Sequence, residues 1–176
     1  AEGLEPQIIT FNAVISACSH GEDWRRALCF LGEARAARLE ANAVSYSAAI
    51  SACAAGEAWE QALELLADMS AKKIELSVRC YTGAISAAEN RGLWSQGLGL
   101  LNGMSERWIP PNEFTLCATV SACEKGQRWQ AAVDLLGDVQ RAELEPNTLT
   151  YNAAISACEK GARWKEALGL LPILCA

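Results

Sequence analysis

The sequence has a 35-residue period, because three residue types recur at this spacing in a common phase. The tryptophans that keep it are Trp24, Trp59, Trp94, Trp129 and Trp164. A serine followed by alanine keeps it at Ser16, Ser51, Ser86, Ser121 and Ser156. A cysteine keeps it at Cys18, Cys53, Cys123 and Cys158, and Ala88 takes the remaining place. A period of this length is typical of repeat architectures, so it constrains the fold more than any single motif does.

The period divides the chain into five units. These are 8–42, 43–77, 78–112, 113–147 and the partial unit 148–176. Residues 1–7 (AEGLEPQ) resemble RAELEPN at 141–147, so they are interpreted as the end of a preceding repeat. The chain is therefore expected to be part of a longer array.

Each unit is predicted to form two helices. At about 100° per residue, Phe11, Ile15 and Cys18 share an apolar stripe of the first helix, and Asn12 lies on a mixed stripe opposite. The second helix turns an apolar face inward around its tryptophan, and its other face carries charge. The first helices are predicted to end at glycines in a left-handed conformation, namely Gly21, Gly56, Gly126 and Gly161.

A helical hairpin of this size cannot bury its apolar faces alone, so neighbouring hairpins must stack. The predicted fold is all-α, an α-solenoid of helix-turn-helix hairpins. First helices would line an inner groove, and second helices would form the outer surface. The mixed stripe would then face the groove, where a ligand should lie; it holds Asn12, Ser47, Thr82, Cys117 and Asn152.

Composition excludes several other classes. Hydrophobic residues form 51% of the 176 residues and charged residues 20%, which is incompatible with disorder. The net charge of −6 argues against a histone-like duplex binder. No apolar run approaches the ~20 residues of a membrane span, and no signal peptide opens the chain. The eight cysteines lack CxxC pairs and are interpreted as reduced core residues of an intracellular protein.

Several segments resemble the pentatricopeptide repeat family, and the resemblance covers essentially the whole chain. They are TFNAVISAC at 10–18, SYSAAISAC at 45–53, YTGAISA at 81–87, TYNAAISAC at 150–158, ALELLADM at 62–69 and AVDLLGDV at 132–139. The resemblance implies a protein of plastids or mitochondria, with plastids slightly preferred. Such proteins bind single-stranded RNA, about one nucleotide per repeat, and act in RNA processing, stability or translation. Neither a cofactor nor a small-molecule substrate is implied.

In this family two side chains per repeat read a base, the fifth residue and the last. Short polar side chains of this kind can hydrogen-bond the Watson–Crick edge of a splayed-out base. Carried over, the pairs are Asn12 with Asn42, Ser47 with Ser77, Thr82 with Asn112, and Cys117 with Asn147, while Asn152 has no partner. The first pair resembles a pyrimidine reader and the third an adenine reader. The second and fourth pairs are left undecoded.

Two further roles are implied by the resemblance. The second residue of each repeat wedges between bases, and here these residues are Ile9, Val44, Arg79, Phe114 and Leu149. Arg79 departs from the usual aliphatic residue, although a guanidinium can also stack on a base. A lysine near the end of the first helix often contacts phosphate, and Lys125 and Lys160 occupy that place.

Other interpretations stay open. Asn42, Asn112 and Asn147 are also good helix N-caps, and the two roles weigh about equally. The tryptophans are expected to fill the space between hairpins rather than to stack on bases. No enzyme motif or metal-ligand cluster is recognisable, so no catalytic activity is expected.

A second function is a structural or adaptor subunit of an organellar assembly, such as a ribosome or a photosynthetic or respiratory complex. Such a subunit would use the solenoid for protein contacts. The acidic net charge, the non-standard Cys117 and the scarcity of groove cations favour it.

Overall fold

The structure is a computed structural model that describes residues 7–21, 23–141 and 146–174. The secondary-structure elements of these residues are all α-helices. In chain order they are α1 (Ile8–His20), α2 (Trp24–Ala36), α3 (Ala43–Ala55), α4 (Trp59–Ala71), α5 (Val78–Asn90), α6 (Trp94–Glu106), α7 (Glu113–Lys125), α8 (Trp129–Arg141), α9 (Thr148–Lys160) and α10 (Trp164–Leu174). Each tryptophan of the 35-residue ladder begins a second helix. The predicted all-α class of stacked helical hairpins is confirmed.

The helices form two compact bodies, an N-terminal body of residues 1–87 and a C-terminal body of residues 88–176. In the N-terminal body α3 packs against α1, α2 and α4, and Ile15, Tyr46 and Ile50 are fully buried. In the C-terminal body α7 and α9 pack against each other and against the second helices beside them. Val120 and Leu136 lie in its core. Contact between consecutive first helices is therefore the main packing mode within each body.

The predicted left-handed glycines are wrong by one residue. Gly126 and Gly161 have φ values of −78° and −83°, and Gly21 and Gly56 are also negative. After Gly56, Gly126 and Gly161, positive φ falls on the following residue, as at Gln127 (56°). The Gln127 amide donates to the carbonyl of Glu124, and the next amide reaches back five residues, as in a Schellman motif. The left-handed residue of this motif lies immediately after the glycine.

Gly126 and Gly161 are required for space rather than for conformation. A β-carbon on Gly161 would lie 2.8 Å from Cγ of Trp129, and one on Gly126 would lie 2.7 Å from Cδ1 of Trp94. Real β-carbon contacts are essentially never this short. In these two hairpins the glycine therefore admits the tryptophan of the hairpin before it.

Two of the tryptophans fill the space between consecutive hairpins, as predicted. Trp94 and Trp129 are half-buried against Gly126 and Gly161. The guanidinium of Arg128 lies 5.0 Å from the ring centre of Trp94, and a second arginine lies 4.6 Å from the ring centre of Trp129, both within cation–π range. Trp164 has no described hairpin after it and is 65% exposed.

The interpretation of the cysteines as core residues is correct for four of the seven that the structure describes, and Cys175 lies outside the described residues. Cys53, Cys80, Cys123 and Cys158 are buried, and burial raises the pKa of the Cys53 thiol to about 12. It is wrong for Cys29, which is exposed on α2. Cys29 lies outside the 35-residue ladder, on the charged face of its helix. Within the described ranges no helix is long and apolar enough to cross a membrane.

Candidate nucleic-acid interface

The mixed stripe of the N-terminal body lines an open cavity. Its volume is about 470 Å³. Five predicted site residues contribute to its walls, namely Asn12, Val44, Ser47, Ser77 and Arg79. They come from three successive repeats, and small serines and alanines form most of the remaining wall. Stacked first helices thus bring residues of three successive repeats to one surface.

The wedge positions are exposed apolar side chains. Ile9, Val44, Phe114 and Leu149 are each 60–70% exposed, although each lies in the first turn of a well-packed helix. Exposed large apolar residues that recur at one repeat position indicate contact with a ligand or partner. Arg79 is exposed at the equivalent position of the third repeat.

In the first repeat, hydrogen bonds connect the fifth residue with the last. Asn42 caps α3, and its Oδ1 accepts the amides of Val44 and Ser45, each at 3.1 Å. The Ser45 hydroxyl accepts a hydrogen bond from the backbone amide of Asn42 at 3.2 Å, and it donates one to the side-chain oxygen Oδ1 of Asn12 at 2.6 Å. Asn12 and Asn42, the fifth and last residues of this repeat, therefore bind the same buried hydroxyl.

The other last-position asparagines also cap helices. Oδ1 of Asn112 accepts the Thr115 amide at 2.9 Å, and Oδ1 of Asn147 accepts the Thr150 amide at 2.9 Å. The cap interpretation is thus correct for these asparagines. Because a cap uses the amide oxygen, the amide nitrogen is the part of each side chain that a base can engage. Capping and base reading are compatible.

The fifth residues of the later repeats are Ser47, Thr82, Cys117 and Asn152. Ser47 is buried, and Thr82 donates its hydroxyl proton to the Val78 carbonyl at 2.8 Å. Burial raises the pKa of the Cys117 thiol, and its hydrogen bond with Thr150 only partly offsets that effect. Cys117 is therefore a neutral thiol. Asn152 is exposed on α9.

Both predicted phosphate-binding lysines form ion pairs in the structure. Nζ of Lys125 lies 3.0 Å from Oε1 of Glu89, which also accepts the Ser121 hydroxyl at 2.8 Å. Nζ of Lys160 lies 2.9 Å from Oε1 of Glu124, and a serine hydroxyl of α9 donates to the same oxygen. Each glutamate comes from the preceding first helix, so these contacts connect consecutive repeats.

The ion pair with Lys160 also lowers the pKa of Glu124. Burial of the Glu124 carboxyl raises its pKa, but the hydrogen bonds and charge of Lys160 outweigh this, so the net shift is downward. Both charges are present at neutral pH, and they cancel. Sequence analysis missed the glutamates, although Glu and Lys 36 residues apart recur in phase with the period.

The described residues contain no group of three or more His, Cys, Asp or Glu side chains placed to hold a metal ion. The site is therefore a row of short polar side chains with exposed apolar residues beside them. Such a surface can hydrogen-bond and stack.

The fold and this surface define a helical-repeat binding protein. The family model of the pentatricopeptide repeat domain matches residues 1–55 and 99–160, and a model of the single repeat matches residues 44–74. The chain belongs to the pentatricopeptide repeat family. No curated protein matches it.

Solved structures give the same fold. The crystal structure of the pentatricopeptide repeat protein PPR10 from maize is 25% identical, with a TM-score of 0.77 over 98% of this chain. The chain spans 25% of the length of PPR10. PPR10 in complex with an 18-nt psaJ RNA element matches 96% of this chain and 25% of its own, with 21% identity and a TM-score of 0.79. The repeat domain of Arabidopsis thaliana protein-only RNase P 1, in complex with tRNA, matches 92% of this chain and 86% of its own, with 14% identity and a TM-score of 0.78.

Proposed function

We propose that this chain binds single-stranded RNA and contacts about one nucleotide per repeat. The observation that carries the proposal is the cavity of the N-terminal body, where Asn12, Ser47 and Ser77 lie beside Val44 and Arg79. These are short hydrogen-bonding side chains next to an apolar residue and a guanidinium that can stack on bases. The RNA complexes of PPR10 and of protein-only RNase P 1 support it by analogy.

Base contacts rather than phosphate contacts should dominate this binding. Lys125 and Lys160 are paired with Glu89 and Glu124, so they add no net positive charge to the surface. Affinity for RNA is then expected to fall only weakly as salt concentration rises, because few counterions are released. Within the proposal, the chain acts in RNA processing, stability or translation in a plastid or mitochondrion.

The test is selection from a pool of short random RNAs by the immobilised protein, followed by sequencing of the retained RNA. Asn12→Ala should change base enrichment at one position and lower the melting temperature only slightly, because the Ser45 hydroxyl can donate to Oδ1 of Asn42 at 3.2 Å instead. Asn102→Ala is the matched control, because Asn102 is an exposed asparagine on the second helix α6. Equal effects of the two variants, or no retained RNA, would contradict the proposal.

A second candidate is a structural or adaptor subunit of an organellar assembly. The neutralised lysines and the net charge of −6 favour it, since both weaken attraction to a polyanion. Exposed Phe114 and Leu149 would then contact protein. Purification of the tagged protein from its own cells separates the two, because stoichiometric proteins without RNA would identify an adaptor.

A further inference from the structure

The third residue of each later repeat is fully buried beneath a reading position. These residues are Ser45, Cys80, Thr115 and Thr150, each 0% exposed. Each contacts the last residue of the repeat before it. The distances are 3.2 Å from Ser45 Oγ to Asn42 Oδ1, 3.4 Å from Cys80 Sγ to Ser77 Oγ, 2.7 Å from Thr115 Oγ1 to Asn112 Oδ1, and 2.9 Å from Thr150 Oγ1 to Asn147 Oδ1. A polar group under the reading surface is thus a regular feature.

The geometry at Ser45 determines which atoms of its neighbours remain for a ligand. The Ser45 oxygen accepts a hydrogen bond from the backbone amide of Asn42. Its single proton goes to Oδ1 of Asn12 at 2.6 Å, which is nearer than Oδ1 of Asn42 at 3.2 Å. Oδ1 of Asn42 already accepts two backbone amides. Both reading side chains of the first repeat therefore have their oxygens occupied, and their NH₂ groups are the donors that they can offer.

We infer that Ser45 is a positioning residue that fixes the Asn12 amide and makes the first repeat a presenter of hydrogen-bond donors. The inference rests on the proposed function, because it concerns how the same surface selects a base. Two donors complement adjacent acceptors such as N3 and O2 of cytosine. They oppose the N1–H and N2–H₂ donors of guanine.

The fourth repeat contains part of this arrangement. The Thr150 hydroxyl donates to Oδ1 of Asn147 at 2.9 Å, so the buried polar side chain again holds the last residue of its repeat. In the second repeat the buried residue is Cys80, whose thiol forms weaker hydrogen bonds than a hydroxyl, so Ser77 is held less firmly.

The experiment uses Ser45→Ala and Ser45→Thr in the same selection from random RNAs. The base read by the first repeat is the position at which Asn12→Ala changes enrichment. Without the hydroxyl, the Asn12 amide can rotate and offer its oxygen. Ser45→Ala should therefore reduce the preference for cytosine over guanine there by about fivefold, the worth of one neutral hydrogen bond.

Ser45→Thr should retain the preference, because threonine occupies the equivalent positions 115 and 150. An unchanged preference in Ser45→Ala, an equal loss at every RNA position, or an equal loss in Ser45→Thr would overturn the inference. If the unmodified protein retains no RNA, the proposed function itself has failed, which is a separate result.

A measurement without RNA tests the same contact. The side-chain NH₂ resonances of Asn12 in an amide ¹H–¹⁵N spectrum should shift in Ser45→Ala and stay in place in Ser45→Thr. Backbone resonances of α4 serve as the folding control, since that helix begins at Trp59, after Ser45 and its helix. Unshifted Asn12 resonances in Ser45→Ala would refute the hydrogen bond.

Discussion

Substitution of Gly161 by alanine tests the contact between consecutive hairpins. Its φ of −83° suits any residue, so the only obstacle to a side chain is space. A β-carbon there would lie 2.8 Å from Cγ and 3.2 Å from Cβ of Trp129. Neither atom is the far end of a flexible chain, so helix α9 or the ring must move. Gly21 is the matched control, because its β-carbon would meet only the Cys18 carbonyl at 3.8 Å, an ordinary contact.

The magnitude is set by two opposing effects. Carbon atoms normally approach to about 3.5–4.0 Å, so the overlap at Gly161 is substantial. Overpacking of this kind costs about 1–3 kcal/mol. Alanine also has less conformational freedom than glycine in the unfolded chain, and this stabilises the folded state by about 0.4–1 kcal/mol, which offsets part of the overpacking cost. Gly161→Ala should therefore lower the free energy of unfolding by about 1–2 kcal/mol. Gly21→Ala should leave stability unchanged or raise it by up to about 1 kcal/mol.

The assay is urea unfolding followed by far-ultraviolet circular dichroism on both variants. A double-mutant cycle with Trp129→Ala identifies the cause, because the new methyl group has room once the ring is gone. In that background Gly161→Ala should no longer destabilise. Equal effects at Gly21 and Gly161, or a cost that persists without Trp129, would refute the steric explanation.

Three other perturbations have definite expected outcomes. Burial raises the pKa of the Asp68 carboxyl, but hydrogen bonds from Tyr46 and Lys72 and the charge of Arg35 outweigh this and lower it from 3.8 to about 2. Its contribution to stability is thus present above pH 3.8 and is lost as pH falls towards 2, so Asp68→Asn should flatten acid unfolding curves over that range. Gly92 has a φ of 65°, so Gly92→Ala should destabilise by about 1–2 kcal/mol in urea unfolding; no loss would show that this turn relaxes. Exposed Cys29 should be alkylated by iodoacetamide in the native protein while buried Cys53 is not, and mass spectrometry showing equal labelling would contradict the packing.

The hairpins could be predicted from the sequence because a 35-residue period in three residue types fixes their phase. The roles of glycine could not, because periodicity does not separate a demand for backbone conformation from a demand for space. The third unit indicates which position needs the left-handed conformation, since it has Arg91 and Gly92 where the fourth has Gly126 and Gln127. Its glycine lies one residue later, at the position with positive φ.

For the site too, residues placed by local helix geometry could be predicted, and contacts between hairpins could not. Asn12 was found from its place on a mixed helical stripe, which depends only on local geometry. The pairing of Lys125 with Glu89 and the burial of Ser45 depend on how one hairpin rests on the next. These contacts join residues 33–36 positions apart, and only the stacked structure shows which of them meet.

The interlock of tryptophan and glycine bears on how such arrays change length. The hairpin at 78–112 offers Trp94 to its successor, and the hairpin at 148–176 receives Trp129 with Gly161 and Arg163. Excision of 113–147 would place Trp94 before that same glycine and arginine, a junction with the chemistry of those already present. Recombination in whole units can therefore shorten or lengthen the protein without inventing a new interface, whereas loss of a few residues within a unit puts every later helix out of phase.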